Sequence, residues 1–270
     1  MKIKLTVLAF FISMLLTGQV LAFDVGGLSY SVINATDVEV TGRAPGNTAT
    51  DIVIPDTVVD SGTTYSVTTI GGYAFYINAL TSVTIGNSVT AIGVYAFSVN
   101  DLTSVIIPDS VTTIGLYAFK GNALTSVTIG NSVPFIGDFA FQSNALTSVI
   151  IPDSVTIIGR SAFGYNVLTS VIIPDSVTTI GPNAFSVNAL TSVIIPDSVT
   201  TIGWFAFRDN ALTSAAFEGD FGNFNLRMFL NNPALATITY CDGTTGWPQG
   251  LNNGSTTVVT DPIVCLPPGC

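Results

Sequence analysis

Hydrophobic and polar positions follow one another along this chain in a pattern that repeats every 22 residues. Each unit reads N-x-L-T-S-V-x-I-[PG]-[DN]-S-V-x-x-I-G-x-x-A-F-x-x. The leucines that mark the repeat are Leu80, Leu102, Leu124, Leu146, Leu168, Leu190 and Leu212. The Ile-Gly pairs, the Ala-Phe pairs and the asparagine before each leucine recur at the same interval. A fixed interval of this length is typical of a solenoid, so the repeat determines the fold class.

Within one unit the pattern predicts two short extended segments joined by turns. Leu102, Val105 and Ile107 have the spacing that places three apolar side chains on one side of a strand. Pro108–Ser110 predicts a turn, because proline fixes φ and Asp or Ser can bond nearby backbone. Residues 111–114 predict a second extended piece with Val and Ile pointing inward. A glycine then opens another turn, and the Ala-Phe pair returns the chain to the core.

One unit cannot bury its apolar side chains alone, so the units must stack. The expected fold is a mainly β solenoid, a right-handed stack of about eight 22-residue coils with a cap at each end. At a strand spacing of ~4.8 Å the stack is roughly 35–40 Å long. The repeated asparagines are expected to form an internal ladder whose amides bond neighbouring backbone.

The regularity divides the chain into four segments. Residues 51–240 form the solenoid, with an insertion at residues 59–65 and a degenerate last coil. Residues 23–50 are expected to form an N-terminal β cap, and residues 241–270 a C-terminal cap or tail. Residues 1–22 resemble a secretory signal peptide, with two lysines, an apolar run and small residues before a cleavage site after Ala22. An uncleaved membrane anchor is the alternative, although the apolar run is short for a membrane span.

The unit L-T-S-V-x-I-P-x-S-V-x-x-I-G-x-x-A-F resembles the BspA-like class of leucine-rich repeats over residues 51–240. The resemblance is specific because seven I-G-x-x-A-F elements are in register. It implies a secreted or cell-surface protein associated with adhesion, and it offers no catalytic motif. Many members have Cys where this chain has the repeated Asn.

Composition narrows the possible functions. Residues 23–270 contain five basic and 17 acidic residues, a formal charge of −12, without a basic cluster. This argues against nucleic acid as a partner, because binding requires cations to neutralise phosphates. The chain has no histidine, and its only glutamates are Glu39 and Glu218. We therefore expect no enzyme and no cofactor.

Three weaker chemical hypotheses remain. Asp153, Asp175 and Asp197 recur on consecutive coils, and calcium between their carboxylates is the alternative to simple turn capping. Cys241 and Cys265 form the favoured disulfide, since export permits disulfides, while a pairing that involves Cys270 stays open. The threonine column that includes Thr125 and Thr213 suggests ice binding, although threonine is also an ordinary strand residue.

The partner-binding hypothesis rests on residues that point away from the core. In L-x-x-V-x-I the residue before the final Ile faces outward, and this column is Thr84, Ile106, Thr128, Ile150, Ile172 and Ile194. An apolar stripe on such a sheet favours binding of an extracellular protein or glycan. The alternative is that these positions hold isoleucine only because of its high β-propensity. Aromatic residues near the Ala-Phe turn, such as Tyr73 and Trp204, either fill space or anchor a partner. A structural spacer without a specific ligand is the alternative function.

Overall fold

The computed structural model describes residues 21–219, 226–241, 251–252 and 257–263. The strands of the N-terminal part are β1 (Ala22–Val25), β2 (Leu28–Val32), β3 (Asp37–Arg43), β4 (Asp51–Ile54), β5 (Thr57–Asp60), β6 (Thr63–Ile70), β7 (Ser82–Ile85) and β8 (Ala91–Ile92). Those of the central coils are β9 (Ser104–Ile106), β10 (Thr113–Ile114), β11 (Ser126–Thr128), β12 (Phe135–Ile136), β13 (Ile157–Ile158), β14 (Thr179–Ile180), β15 (Ser192–Ile195) and β16 (Thr201–Ile202). The last elements are β17 (Ser214–Phe217), a 3-10 helix (Leu226–Phe229), β18 (Thr237–Cys241), β19 (Leu251–Asn252) and β20 (Thr257–Ile263).

The predicted fold class is confirmed: the chain is a β-solenoid of about eight turns of roughly 22 residues. Each coil places one extended segment on each of two opposite sides, and the segments of one side form a continuous sheet. The back sheet is continuous and parallel through the coils, in the order β6-β8-β10-β12-β13-β14-β16. The opposite side, here called the strand face, carries the pairs β4-β7 and β9-β11 and the run β15-β17-β18-β20. Between these groups a single bridge joins Ile150 to Ile172.

The N-terminal strands extend the back sheet beyond the first coil. β1, β2 and β3 are antiparallel, and β3 pairs in parallel with β6. Val38 and Val40 on β3 are fully buried and close the end of the core. The insertion at residues 59–65 lies in the antiparallel hairpin of β5 and β6.

A continuous stack of phenylalanine rings occupies the centre of the solenoid. Neighbouring rings have centroid separations of 5.3–5.7 Å, and all the rings are fully buried. The members are Phe75, Phe97, Phe119, Phe141, Phe163, Phe185, Phe207 and Phe229. Because each ring packs on the one before it, a coil is stabilised by its neighbours rather than by itself.

The asparagine ladder predicted from the sequence is confirmed from Asn100 onward, and its bonds join side chain to backbone. Asn78, the first asparagine of the repeat, differs, because its Nδ2 donates to Tyr76 O. Asn166 Oδ1 accepts the Leu146 N–H of the preceding coil at 3.0 Å. Its Nδ2 donates to the carbonyl oxygens of Phe141 at 3.0 Å and Phe163 at 3.1 Å, which belong to two successive coils. The same arrangement recurs at Asn100, Asn122, Asn144, Asn188, Asn210 and Asn232.

The repeated glycine is required by close approach of neighbouring coils. A Cβ atom on Gly93 would lie 2.6 Å from the Gly72 nitrogen, and one on Gly115 would lie 2.6 Å from the Gly93 carbonyl carbon. Neither Gly93 nor Gly115 has a positive φ. The glycine column therefore allows the backbones to pack, rather than supplying an unusual turn conformation.

Candidate binding surfaces

The outward column of the strand face is exposed, as its position in the repeat requires. The side chains of Ile106, Ile150, Ile172 and Ile194 are between 56 and 83% exposed. Each lies between two inward residues, as Ile106 does between the buried Val105 and Ile107. Thr84 and Thr128 are exposed in the same column.

Strand pairing keeps the members of this column in register. Ile106 lies opposite Thr128, and Ile150 opposite Ile172. The column extends at its N-terminal end to Val53, which pairs with Thr84 and is 66% exposed. Val53 was missed in the sequence, although the segment Ile52-Val53-Ile54-Pro55 has the same apolar pattern as the repeat. The result is a row of aliphatic and threonine side chains along the solenoid.

A shallow groove of about 300 Å³ lies between two of these isoleucines. Ile172 and Ile194 line it together with Pro196, while the carboxyl groups of Asp175 and Glu218 border it. The groove offers apolar surface with negative charge at its edge, and none of the described residues that line it is cationic.

The aspartate column lies at the turn that follows the strand face. Asp109 Oδ1 accepts the Asn131 N–H of the next coil at 2.8 Å, so this carboxylate caps the neighbouring coil rather than its own turn. Asp153, Asp175 and Asp197, the calcium candidates, are exposed at the equivalent positions. Within the described ranges no three His, Cys, Asp or Glu side chains are grouped as a metal site would require.

The structure describes the residues of only some of the remaining hypotheses drawn from the sequence. Thr125 and Thr213 donate their hydroxyl protons to Thr103 O and Thr191 O of the preceding coils, which gives these side chains a role in joining coils. The predicted Cys241–Cys265 disulfide and the signal peptide lie outside the described side chains. Within the described residues, no helix has the length and apolar character needed to cross a membrane.

A second surface, here called the turn edge, is formed by the four residues that flank each Ala-Phe pair, two before it and two after it. Tyr73, Tyr95, Tyr117 and Phe139 form an outer stack there, with ring centroids 4.4–4.9 Å apart. All four residues have φ between 57° and 61°, which is uncommon for bulky side chains. The ammonium group of Lys120 lies 5.3 Å from the Tyr117 ring centroid, within range of a cation–π interaction.

The outer stack changes the acidity of one of its phenols. Loss of water contact raises the pKa of Tyr95, and the neighbouring Tyr117 and Tyr73 raise it further. A hydrogen bond with the Tyr117 phenol acts in the same direction. The cause is general: a phenolate is disfavoured where water is excluded and where other phenolates form nearby.

Comparison with known proteins agrees with this architecture. The family model of the BspA type leucine-rich repeat region matches residues 57–146 and 134–257. Among solved structures, a leucine-rich repeat protein from Bacteroides ovatus aligns with a TM-score of 0.50 at 22% identity, over 81% of this chain and 70% of that one. A leucine-rich cell surface protein from Faecalibacterium prausnitzii aligns with a TM-score of 0.49 at 26% identity, over 83% of this chain and 84% of that one. No curated protein sequence matches closely enough to count as a relative. With the family model covering most of its length, this chain belongs to the BspA type of leucine-rich repeat proteins.

Proposed function

We propose that this protein is exported and binds the surface of another extracellular protein through the outward column of its strand face, without catalysis. The observation that carries the proposal is the row of aligned isoleucines, which expose most of their side chains to water. Burial of one such side chain contributes about 1.5–3 kcal/mol, so four in one column supply a large part of a binding free energy.

The chemistry of the row favours a protein over a glycan. Aliphatic side chains contribute dispersion and water release but no hydrogen bonds, whereas sugars present mainly hydroxyl groups. The Ser and Thr side chains beside the row provide a polar rim, as is usual around the apolar centre of a protein interface.

Export is supported by the sequence of residues 1–22 and by the family. Absence of histidine from the whole chain removes the most frequent general base and supports a non-catalytic role. Mass spectrometry of the protein recovered from the medium or cell surface of an expressing bacterium tests export. A mature N-terminus at Phe23 is expected, and retention of an intact chain in the cytoplasm contradicts the proposal.

The binding test compares two fourfold variants. One replaces Ile106, Ile150, Ile172 and Ile194 by Thr, a residue that the repeat itself uses in this column at Thr84 and Thr128. The matched control replaces four exposed aliphatic residues outside the column, Val94, Val99, Ile157 and Val167, by Thr. Both variants are compared with the native protein on a panel of extracellular matrix proteins, glycans and intact cells.

The column variant is expected to lose affinity for a bound matrix protein by about 100-fold, since tenfold corresponds to about 1.4 kcal/mol. The control variant is expected to bind normally. Equal loss in both variants contradicts a site on the strand face. No binding of any protein by the native chain contradicts the function itself. That result favours the alternative function, a structural spacer. The near-identity of the coils on this face is also consistent with a spacer.

A further inference from the structure

Variation between coils is concentrated at the turn edge. The strand face repeats Thr-Ser-Val in almost every unit, whereas no two units have the same pair of residues between the repeated Gly and Ala. In chain order these pairs are Gly72-Tyr73, Val94-Tyr95, Leu116-Tyr117, Asp138-Phe139, Arg160-Ser161, Pro182-Asn183 and Trp204-Phe205. A ligand that binds at one particular coil must contact residues that differ from coil to coil. The turn edge provides such residues.

The cations of this acidic chain are also concentrated there. Of the five basic residues beyond residue 22, Lys120, Arg160 and Arg208 belong to the turn edge, and Arg227 lies over the Trp204 ring at 5.8 Å. Arg208 pairs with Asp209 at 2.7 Å and lies over Phe205. The side chain of Arg160 differs, because the residues that the structure describes offer it neither an ion pair nor a hydrogen bond.

An open cavity of about 530 Å³ lies beside Arg160. The outer stack is interrupted in this region, because Ser161 and Asn183 occupy the positions that carry rings in the preceding four coils. Asn183 lines the cavity, whereas Ser161 is buried and is not among the lining residues. Phe139 and Phe205 are therefore separated by three coil spacings, roughly 14 Å. The cavity is lined by Arg160, Asn183, Thr201, Trp204 and Phe205, among others, and the Trp204 side chain is 59% exposed.

The polar groups of the cavity are free for a ligand. Within the described part of the chain, the Asn183 amide and the Thr201 hydroxyl make no hydrogen bond, like the Arg160 guanidinium. Two carboxylates of the turn edge have other partners: Asp138 Oδ1 accepts the Arg160 backbone N–H at 2.8 Å, and Asp209 pairs with Arg208. An unpaired guanidinium, an amide, a hydroxyl and two aromatic rings thus line one cavity.

We propose that this cavity binds a sugar whose pyranose ring carries a carboxylate. The apolar C–H face of a pyranose packs on an aromatic ring such as Trp204, and its hydroxyl groups bond the amide and the hydroxyl. The guanidinium of Arg160 binds a carboxylate through two parallel hydrogen bonds. The volume lies in the range of small-molecule sites and accommodates one or two sugar units. This site is separate from the strand face, and it gives the protein a second, glycan-specific surface.

The test uses two pairs of saccharides that differ in the carboxylate. Tetragalacturonate is compared with its methyl ester, and sialyllactose with lactose, by titration calorimetry on the purified protein. The variants are Arg160→Gln and Trp204→Ala, both of which change exposed side chains and leave the core intact. The control is Lys120→Gln, which removes a turn-edge cation outside the cavity.

The native protein is expected to bind at least one acidic saccharide about tenfold or more tighter than its neutral match. Arg160→Gln abolishes this preference, Trp204→Ala weakens binding of both members of the pair, and Lys120→Gln changes neither. The fourfold isoleucine variant retains saccharide binding, which separates this proposal from the one for the strand face. Binding of neither acidic saccharide overturns the proposal, and so does an acid preference that survives Arg160→Gln.

Discussion

The strand face and the turn edge are built from the same 22-residue unit, but the repeat constrains them differently. On the strand face, outward and inward residues alternate within a short strand. The inward residues and the Thr-Ser pair recur almost unchanged from coil to coil, and the outward column is Ile or Thr in most coils. At the turn edge the Ala-Phe pair is invariant in the repeat, while the residues around it vary in size, charge and polarity. The core residues are uniform because they stack or pair with the same residues of neighbouring coils, whereas side chains that leave the coil at the turn edge are free to vary.

The sharpest test of this comparison uses two phenylalanines on the same turn. Phe141 is fully buried in the central stack, whereas Phe139, two residues earlier, is half-buried in the outer stack. Phe141→Ala is expected to lower the free energy of unfolding by about 3–5 kcal/mol, because it leaves a cavity between two coils. Phe139→Ala removes one outer stacking contact and is expected to cost about 0.5–1.5 kcal/mol. Denaturant unfolding measures both, and similar losses contradict the distinction between the two stacks.

A second test addresses the ladder that holds the coils beneath both surfaces. Asn166→Ala leaves the buried Leu146 N–H without a partner and removes one of the two amide donors to the Phe141 carbonyl oxygen, which keeps its bond from Asn144 Nδ2. This change is expected to cost about 1–3 kcal/mol. Asn131→Ala is the control, since the Asn131 side chain is exposed and, among the described residues, bonds Asp109 alone. That change is expected to cost less than about 0.5 kcal/mol. Equal stability of the two variants shows that the ladder asparagines are dispensable.

Much of this arrangement follows from the sequence, because every coil of a solenoid packs against its neighbours in the same way. The fold class, the inward residues and the asparagine ladder each follow from spacing alone, since only stacking satisfies them. The exposure of Ile106 and its neighbours follows from alternation within the strand. A single unit therefore contains almost all the information that specifies the core.

The turn edge was less predictable, because its geometry depends on neighbouring coils. A left-handed conformation at Tyr95 is disfavoured for the isolated residue, and the contacts with Tyr73 and Tyr117 that accompany it are not local in sequence. The role of the repeated glycines was likewise not predictable, because a larger residue would clash with the backbone of the preceding coil. The cavity beside Arg160 lies where Asn183 replaces a ring, and the repeat pattern does not show that this replacement leaves space.

Filling that cavity makes the variable edge more uniform. The variant Asn183→Tyr places a ring next to Phe205, one coil away in the same column. Asn183 already has a φ of 57°, which is also the φ of Tyr95 in the outer stack, so the new ring can adopt the same arrangement. We expect the free energy of unfolding to rise by about 0.5–1.5 kcal/mol and saccharide binding to disappear. Increased stability with unchanged saccharide binding places the sugar elsewhere.

The smallest expected effect concerns the acidity of the outer stack. Because the pKa of Tyr95 is raised in the folded protein, the folded state holds this proton more tightly than the unfolded chain does. The stabilisation that comes from protonated Tyr95 is therefore complete below pH 10, the ordinary pKa of a tyrosine, and is lost as the pH rises above that value. Tyr117→Phe removes a hydrogen bond and a repelling phenolate, and it is expected to lower the pKa of Tyr95. Carbon NMR of the tyrosine Cζ atoms follows this titration, with Tyr165→Phe, an exposed tyrosine outside the stack, as the control. A Tyr95 titration that is the same in both variants would mean that the rings of the turn edge share no electrostatic interaction and stack for shape alone.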